Sequence, residues 1–291
     1  MADECDIGMG DGDVLVFGGP YSNIEATRAM RARARELSIP PERTICTGDV
    51  VAYGADPNAT CAEVRDWGCH VIAGNCEVQL AAGAADCGCG FEDGTACDQL
   101  SRGWYPYADA TLDRQHRLWM ARLPGRLNFT VAGFRFAVVH GAESDIARFL
   151  FAGSPAAEKA AEAERLGADI VLAGHCGIPF AEVVAGSGHP KLWFNAGVIG
   201  MPANDGTLDG WYGVISPDGK AGGNGHRPLR FSLHRLSYDA AEAAASLERA
   251  GSAPEYACAL RTGMWPSLDV LPPAERAARG VPLKEAAMTF P

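Results

Sequence analysis

Four apolar runs, Val14 to Phe17, Thr44 to Cys46, His70 to Ala73 and Ile170 to Ala173, are too short for helices. They are rich in β-branched or small residues, which predicts strands buried on both faces. A fifth run, Phe134 to Val139, follows the turn residue Gly133. Between the strands lie helical patterns, Asn23 to Leu37, Ala59 to Trp67 and Pro155 to Leu166, the last built of strong helix formers. Ser22 followed by Glu25 has the spacing of a capping box for the first helix, and Ile39-Pro40-Pro41 ends it. Alternation of strand and helix predicts parallel βαβ units and an α/β fold. Leu192 to Asn195, Trp211 to Ile215 and Leu229 to Leu236 predict further strands, and Asp239 to Ala250 a further helix.

This pattern divides the chain into an acidic, Gly-rich segment 1–12, expected to be a flexible N-terminus, a domain over 13–250, and an extension over 251–291. The Pro-punctuated end of that extension forms either an arm or a packed tail. Within the domain, Gly74 to Gly103 breaks the periodicity with a dense run of Cys, Gly and Asp. A stretch of this length without periodicity is expected to be a functional loop.

Composition narrows the function. The chain has 291 residues, 47% of them hydrophobic and 21% charged, enough for an ordinary core. Lys and Arg total 25 against 36 for Asp and Glu, a net charge of -11, which argues against nucleic acid as a partner. No apolar run reaches the ~20 residues of a membrane span. The N-terminal residues lack the positive and apolar regions of a secretory signal, so a cytoplasmic location is expected. In that setting the 10 cysteines are expected as thiols, metal ligands or redox groups rather than a disulfide framework.

Each of four predicted strands ends in a ligand-type residue beside glycine: Gly48-Asp49, Gly74-Asn75, His140-Gly141 and Gly174-His175. Taken singly, such residues belong to ordinary turns or are satisfied core histidines. Together, at the carboxyl ends of strands in an α/β sheet, they converge on one crevice. Two imidazoles, a carboxylate and an amide oxygen suit Fe, Mn or Zn better than Ca or Mg.

The order Gly-Asp, Gly-Asn, His-Gly, Gly-His resembles the calcineurin-like metallophosphoesterases, particularly the compact bacterial YfcE-type phosphodiesterase branch. The resemblance runs from about Val14 to Leu236 and includes Ser22-Asn23-Ile24-Glu25-Ala26, Val50 to Asn58 after the Gly-Asp, and Asn195-Ala196-Gly197. It implies a four-layer α/β/β/α sandwich, a small phosphate-ester substrate and a two-metal site. In that site Asp49 is the bridging carboxylate, while Asn75, His140 and His175 complete the second metal. It further implies catalytic roles for Asp49, Asn75 and His175. Where the family supplies three more ligands to the first metal, this chain has Gly19, Tyr21 and Gly177, and Cys76 replaces the His that usually follows the metal-binding Asn.

Losses of His and Asp coincide with thiols: Cys76 beside Asn75, Cys176 beside His175, and Cys87, Cys89 and Cys97 in the following loop. These five form a candidate thiolate site for Zn or an iron–sulfur cluster. Two further readings are buried apolar packing and a redox-active Cys87-x-Cys89 dithiol. Three function classes follow: a divergent metal-dependent phosphoesterase, a non-catalytic metal- or cluster-binding sensor or partner protein on the same fold, and a metal- or cluster-dependent enzyme with non-phosphate chemistry. The oligomeric state is not legible in the sequence.

Overall fold

The computed structural model describes residues 2–90, 94–220, 222 and 225–291. Among the described residues twelve strands run in chain order: β1 (Ala2–Met9), β2 (Val14–Phe17), β3 (Thr44–Cys46), β4 (His70–Val71), β5 (Pro124–Val131), β6 (Phe134–Val139), β7 (Ile170–Ala173), β8 (Phe180–Val184), β9 (Lys191–Asn195), β10 (Gly210–Pro217), β11 (Leu229–Leu236) and β12 (Ala286–Phe290). The helices are α1 (Ile24–Glu36), α2 (Pro57–Trp67), α3 (Asn75–Ala82), α4 (Ala96–Thr111), α5 (Arg114–Met120), α6 (Ala156–Arg165), α7 (Ala240–Ala250), α8 (Pro254–Thr262) and α9 (Pro273–Ala277).

Two six-stranded sheets face each other, in the orders β1-β5-β6-β7-β9-β8 and β12-β11-β10-β2-β3-β4. Alternate residues of each meet in the middle layer, where Val14, Val16, Ile45, Phe136, Leu172, Phe194, Trp211 and Phe231 are buried together. The outer face of the second sheet carries Leu15, Phe17 and Cys46, packed against Met30 of α1, Val64 of α2 and Leu247 of α7. The outer face of the first sheet is covered by α6 through Val139, Val171, Trp193 and Ala163. This is the expected four-layer α/β/β/α sandwich. Among the described residues no helix is long and apolar enough to cross a membrane.

Several segments differ from their sequence expectation. Segment 1–12, expected as a flexible N-terminus, carries β1, which pairs in parallel with β5 at the sheet edge. The expected loop over 74–103 is largely helical, holding α3 and the start of α4; residues 91–93 lie outside the described residues. Cap side chains set these helices, with Thr95 Oγ1 accepting the Asp98 amide at the head of α4. The first helix is capped by Asn23, not Ser22: Asn23 Oδ1 accepts from the Ala26 amide at 3.0 Å, whereas Ser22 sits at φ +55 in the preceding turn. Segment 251–291 packs on the domain, with α8 against α7 and β12 hydrogen-bonded to β11.

Candidate metal centre

Strands β3 and β4 of one sheet, and β6 and β7 of the other, deliver their carboxyl ends to one edge of the sandwich. There His140 Nε2 lies 3.2 Å from Asp49 Oδ2, 3.1 Å from Asn75 Oδ1 and 3.0 Å from His175 Nδ1. A tetrahedral ion with bonds of 2.0–2.1 Å needs its donors about 3.3 Å apart. The three distances from His140 Nε2 each lie within a few tenths of an ångström of that spacing, and the donor atoms of Asp49, His140 and His175 are all within 4.8 Å of one another. All four residues are buried.

Glycine makes this approach possible. A Cβ on Gly74 would stand 2.2 Å from Asp49 Oδ1 and 2.9 Å from His140 Cε1, and one on Gly48 would stand 3.0 Å from His140 Nδ1. Asp49 and His175 both adopt left-handed backbone, at φ +56 and +58. Such conformations cost of order 1–3 kcal/mol each and concentrate where function needs them.

Surrounding groups set the protonation states of these donors. His140 Nδ1 lies 2.7 Å from the Thr47 carbonyl and donates its proton there, the usual outer arrangement of a metal-binding histidine; burial lowers the imidazole but the charge and hydrogen bond of Asp49 raise it above its ordinary value, so without an ion Nε2 carries a second proton, whose place an ion would take. Asp49 Oδ1 accepts the Cys76 amide at 3.3 Å. Burial alone would raise the Asp49 carboxyl, but the charge and hydrogen bond of His140, then the charge of His175, hold it below its ordinary value. Burial, followed by the charge on His140, pushes His175 down to about 3, so its imidazole is neutral. These donor types and states fit a transition-metal ion.

Glu77 was missed from sequence. Its Oε2 accepts the amides of both Asp49 and Gly74 at 2.8 Å, and Oε1 accepts that of Val51 at 3.3 Å. The fully buried carboxylate thus ties the Asp49 turn to the head of α3. Gly74 followed three residues later by Glu77 is a capping-box spacing, and that signal was available.

The five cysteines do not share one centre. Cys76, Cys87 and Cys89 surround Asn75, whose Nδ2 donates to the Cys87 carbonyl at 2.9 Å and contacts Cys89 Sγ at 3.2 Å and Cys76 Sγ at 3.5 Å. Cys87 and Cys89, expected as metal- or cluster-binding thiolates, packed thiols or a redox dithiol, are joined by a disulfide, the turn at Gly88 (φ +60) bringing their Cα atoms to 5.3 Å. Cys97 and Cys176 instead line a cavity beside His175. Among the described residues, Asp49, His140 and His175 form the group of close metal-type donors, and no cysteine joins it.

Gly19 and Gly177 are hemmed in by aromatic side chains. A Cβ on Gly19 would strike the Tyr21 ring at 2.6 Å, and one on Gly177 would meet the Trp265 indole at 3.2 Å. Tyr21 stacks edge-on to Tyr53 at 4.8 Å, and Tyr53 lies flat on Tyr256 at 4.4 Å. Arg148 pairs with Glu158 at 2.6 Å in solvent. Trp104 packs on Tyr53, while Tyr105 and Tyr107 bond the carbonyls of Ala84 and Ala55, anchoring α4.

Residues 21–215 match the family model of the calcineurin-like phosphoesterase superfamily domain. The chain belongs to the calcineurin-like phosphoesterase superfamily. A metallophosphoesterase from Sphaerobacter thermophilus is similar with a TM-score of 0.63 and 18% identity, covering 87% of this chain and 100% of that one. A hypothetical protein from Pyrococcus horikoshii OT3 reaches 0.68 at 16% identity, covering 88% and 100%. At such identities the likeness is one of fold. A search of curated proteins gave no match. Within this calcineurin-like frame, the donors at the ends of β3, β4, β6 and β7 stand together, and aromatic rings occupy the space beside them.

Proposed function

We propose that the protein is a divergent phosphoesterase that works with a single divalent transition-metal ion, Fe, Mn or Zn, held by Asp49, Asn75, His140 and His175. The observation that carries this reading is the convergence of three donors within 3.2 Å of His140 Nε2. A metal ion in such a site supplies Lewis acidity toward a phosphoryl oxygen and a nucleophile at neutral pH. The protein's part is positional. The Thr47 carbonyl orients His140, Glu77 holds the backbone of the Asp49 turn, and the Cys87 carbonyl turns Asn75 so that its oxygen faces the histidines.

Cys76 sits where the resemblance expects an acid histidine, and burial, followed by the charge of Asp49, raises its thiol well above the ordinary range. The reading is tested with purified protein loaded with Mn, Zn or Fe and assayed on phosphate mono- and diesters. Asp49→Asn or His175→Ala should abolish turnover, and activity surviving either change refutes it. Metal binding without turnover on any ester would instead favour the non-catalytic sensor or partner role. Iron with acid-labile sulfide in anaerobically isolated protein would support a cluster at the cysteines.

A further inference from the structure

His175 forms one wall of a cavity of about 80 Å³ whose other walls include Tyr21, Tyr53, Phe149, Tyr256 and Trp265. Two of these, Tyr256 and Trp265, come from the C-terminal extension, so that segment completes a space opening on the metal centre. No Lys, Arg, Asp or Glu is among the described residues that line it. Rings dominate the walls: Tyr53 stacks on Tyr256 at 4.4 Å, and Phe149 lies 4.1 Å from the His175 ring. Walls of phenol, phenyl and indole rings match the flat face of an aromatic group, and such a lining offers no charge to pair with a charged one.

Resting on the phosphoesterase reading above, we propose that this cavity seats the leaving group of the ester, and that the group is a small uncharged aromatic ring. Chemistry supports the same choice as shape. A phosphate ester of an alkanol needs a strong acid to protonate its departing oxygen, whereas a phenol leaves readily. Besides the ligand His175, the proton-bearing side chains of the lining are the phenols of Tyr21, Tyr53 and Tyr256, the thiols of Cys97 and Cys176, the Ser267 hydroxyl and the Trp265 indole, and none of these is a strong acid. In the reaction, a water oxygen bonds to phosphorus and the P–O bond to the ring oxygen breaks with its electron pair. The proton released by the water ends on that oxygen, so phosphate and a free phenol are the products.

The test is calorimetric binding of two non-hydrolysable probes, phenylphosphonate and methylphosphonate, to the Mn-loaded full chain, with Mn affinity measured separately. Burying one ring should make phenylphosphonate bind at least about tenfold more tightly. Ala259→Phe, which fills the cavity from α8, should erase that preference while leaving Mn affinity intact. Trp265→Ala, which enlarges the cavity, should shift preference toward a naphthylphosphonate. Equal binding of phenyl and methyl probes, or a phenyl preference unchanged by both variants, overturns the cavity assignment alone. If Mn binds and neither phosphonate does, the phosphoesterase reading fails and this inference fails with it.

Discussion

Gly74→Ala isolates the metal centre without touching a ligand. Gly74 has φ -87 and ψ 178, a conformation alanine adopts freely, so the backbone raises no objection. An alanine replacing glycine at a compatible site ordinarily stabilises by about 0.4–1 kcal/mol through the unfolded chain. Here the added Cβ would stand 2.2 Å from Asp49 Oδ1 and 2.8 Å from the Asp49 backbone nitrogen. A carboxylate can rotate away, but a backbone nitrogen in a left-handed turn cannot. The Asp49 turn or the head of α3 must therefore move, which takes Asp49 or Asn75 off the ion. Disturbing groups that orient ligands typically lowers metal affinity about 10–100-fold, equivalent to about 1.4–2.7 kcal/mol. Calorimetric titration with Mn or Zn measures it. Gly103→Ala is the control, since a Cβ in that helix meets nothing within 4 Å; it should leave affinity unchanged and add about 0.8 kcal/mol of stability. A Gly74→Ala protein that binds metal within about twofold of the natural chain would refute the reasoning.

At a hundredfold excess over Kd the metal should stabilise the fold by about 2.7 kcal/mol. With about 2.1 cal/mol/K of unfolding entropy per residue over 291 residues, that raises Tm by about 4 °C; a chelator should reverse the shift and His140→Ala should remove it. Lys159 is fully buried and donates to the carbonyls of Phe151, Ala152 and Ser154 while pairing with Glu182, so Lys159→Met should lower stability by about 3 kcal/mol in urea unfolding. The Asp169 carboxylate stays far below the ordinary range although burial opposes it, because it accepts hydrogen bonds from Arg135 and from His189. A depressed carboxyl stabilises above its unfolded value near 4 and loses that stabilisation as pH falls toward its folded value. The gap in urea midpoint between the natural chain and Asp169→Asn should therefore be open at pH 6 and close below pH 4.

The parts legible from sequence are those whose cause is local. β2, β3, β6, β7 and β11 begin and end where their apolar runs do, because burial on a sheet dictates the run. β4 stops two residues short of its run: the Ala73 amide leaves the ladder and donates to the Pro124 carbonyl at 2.8 Å, turning the chain toward Asn75. β1 was missed because its exposed edge carries acidic residues, and α4 because Gly103 and Pro106 sit inside it, where tertiary packing overrides propensity. Asp49, Asn75, His140 and His175 could be read because each follows a strand of a parallel pair, β3 with β4 and β6 with β7, whose carboxyl ends meet at one edge of the sandwich. Tyr53, Tyr256 and Trp265 could not, because nothing in their neighbouring residues says which distant loop they will meet.

Those three rings also change what the missing ligands mean. If the first-metal half had merely decayed, restoring Asp at position 19 and His at position 177 would find room for them. A side chain at Gly19 instead runs into Tyr21 and Val198, each 2.6 Å from its Cβ, and one at Gly177 meets the Trp265 indole at 3.2 Å, which must give way by a few tenths of an ångström. Tyr21 is itself held by Tyr53, and Tyr53 by Tyr256 of α8, while the Trp265 indole is fastened to the Pro202 carbonyl at 2.6 Å. Beside Asp49, His140 and His175 there thus stands a connected aromatic wall whose outer half comes from the C-terminal extension. On the single-ion reading proposed above, that wall stands where the resemblance would put a second ion.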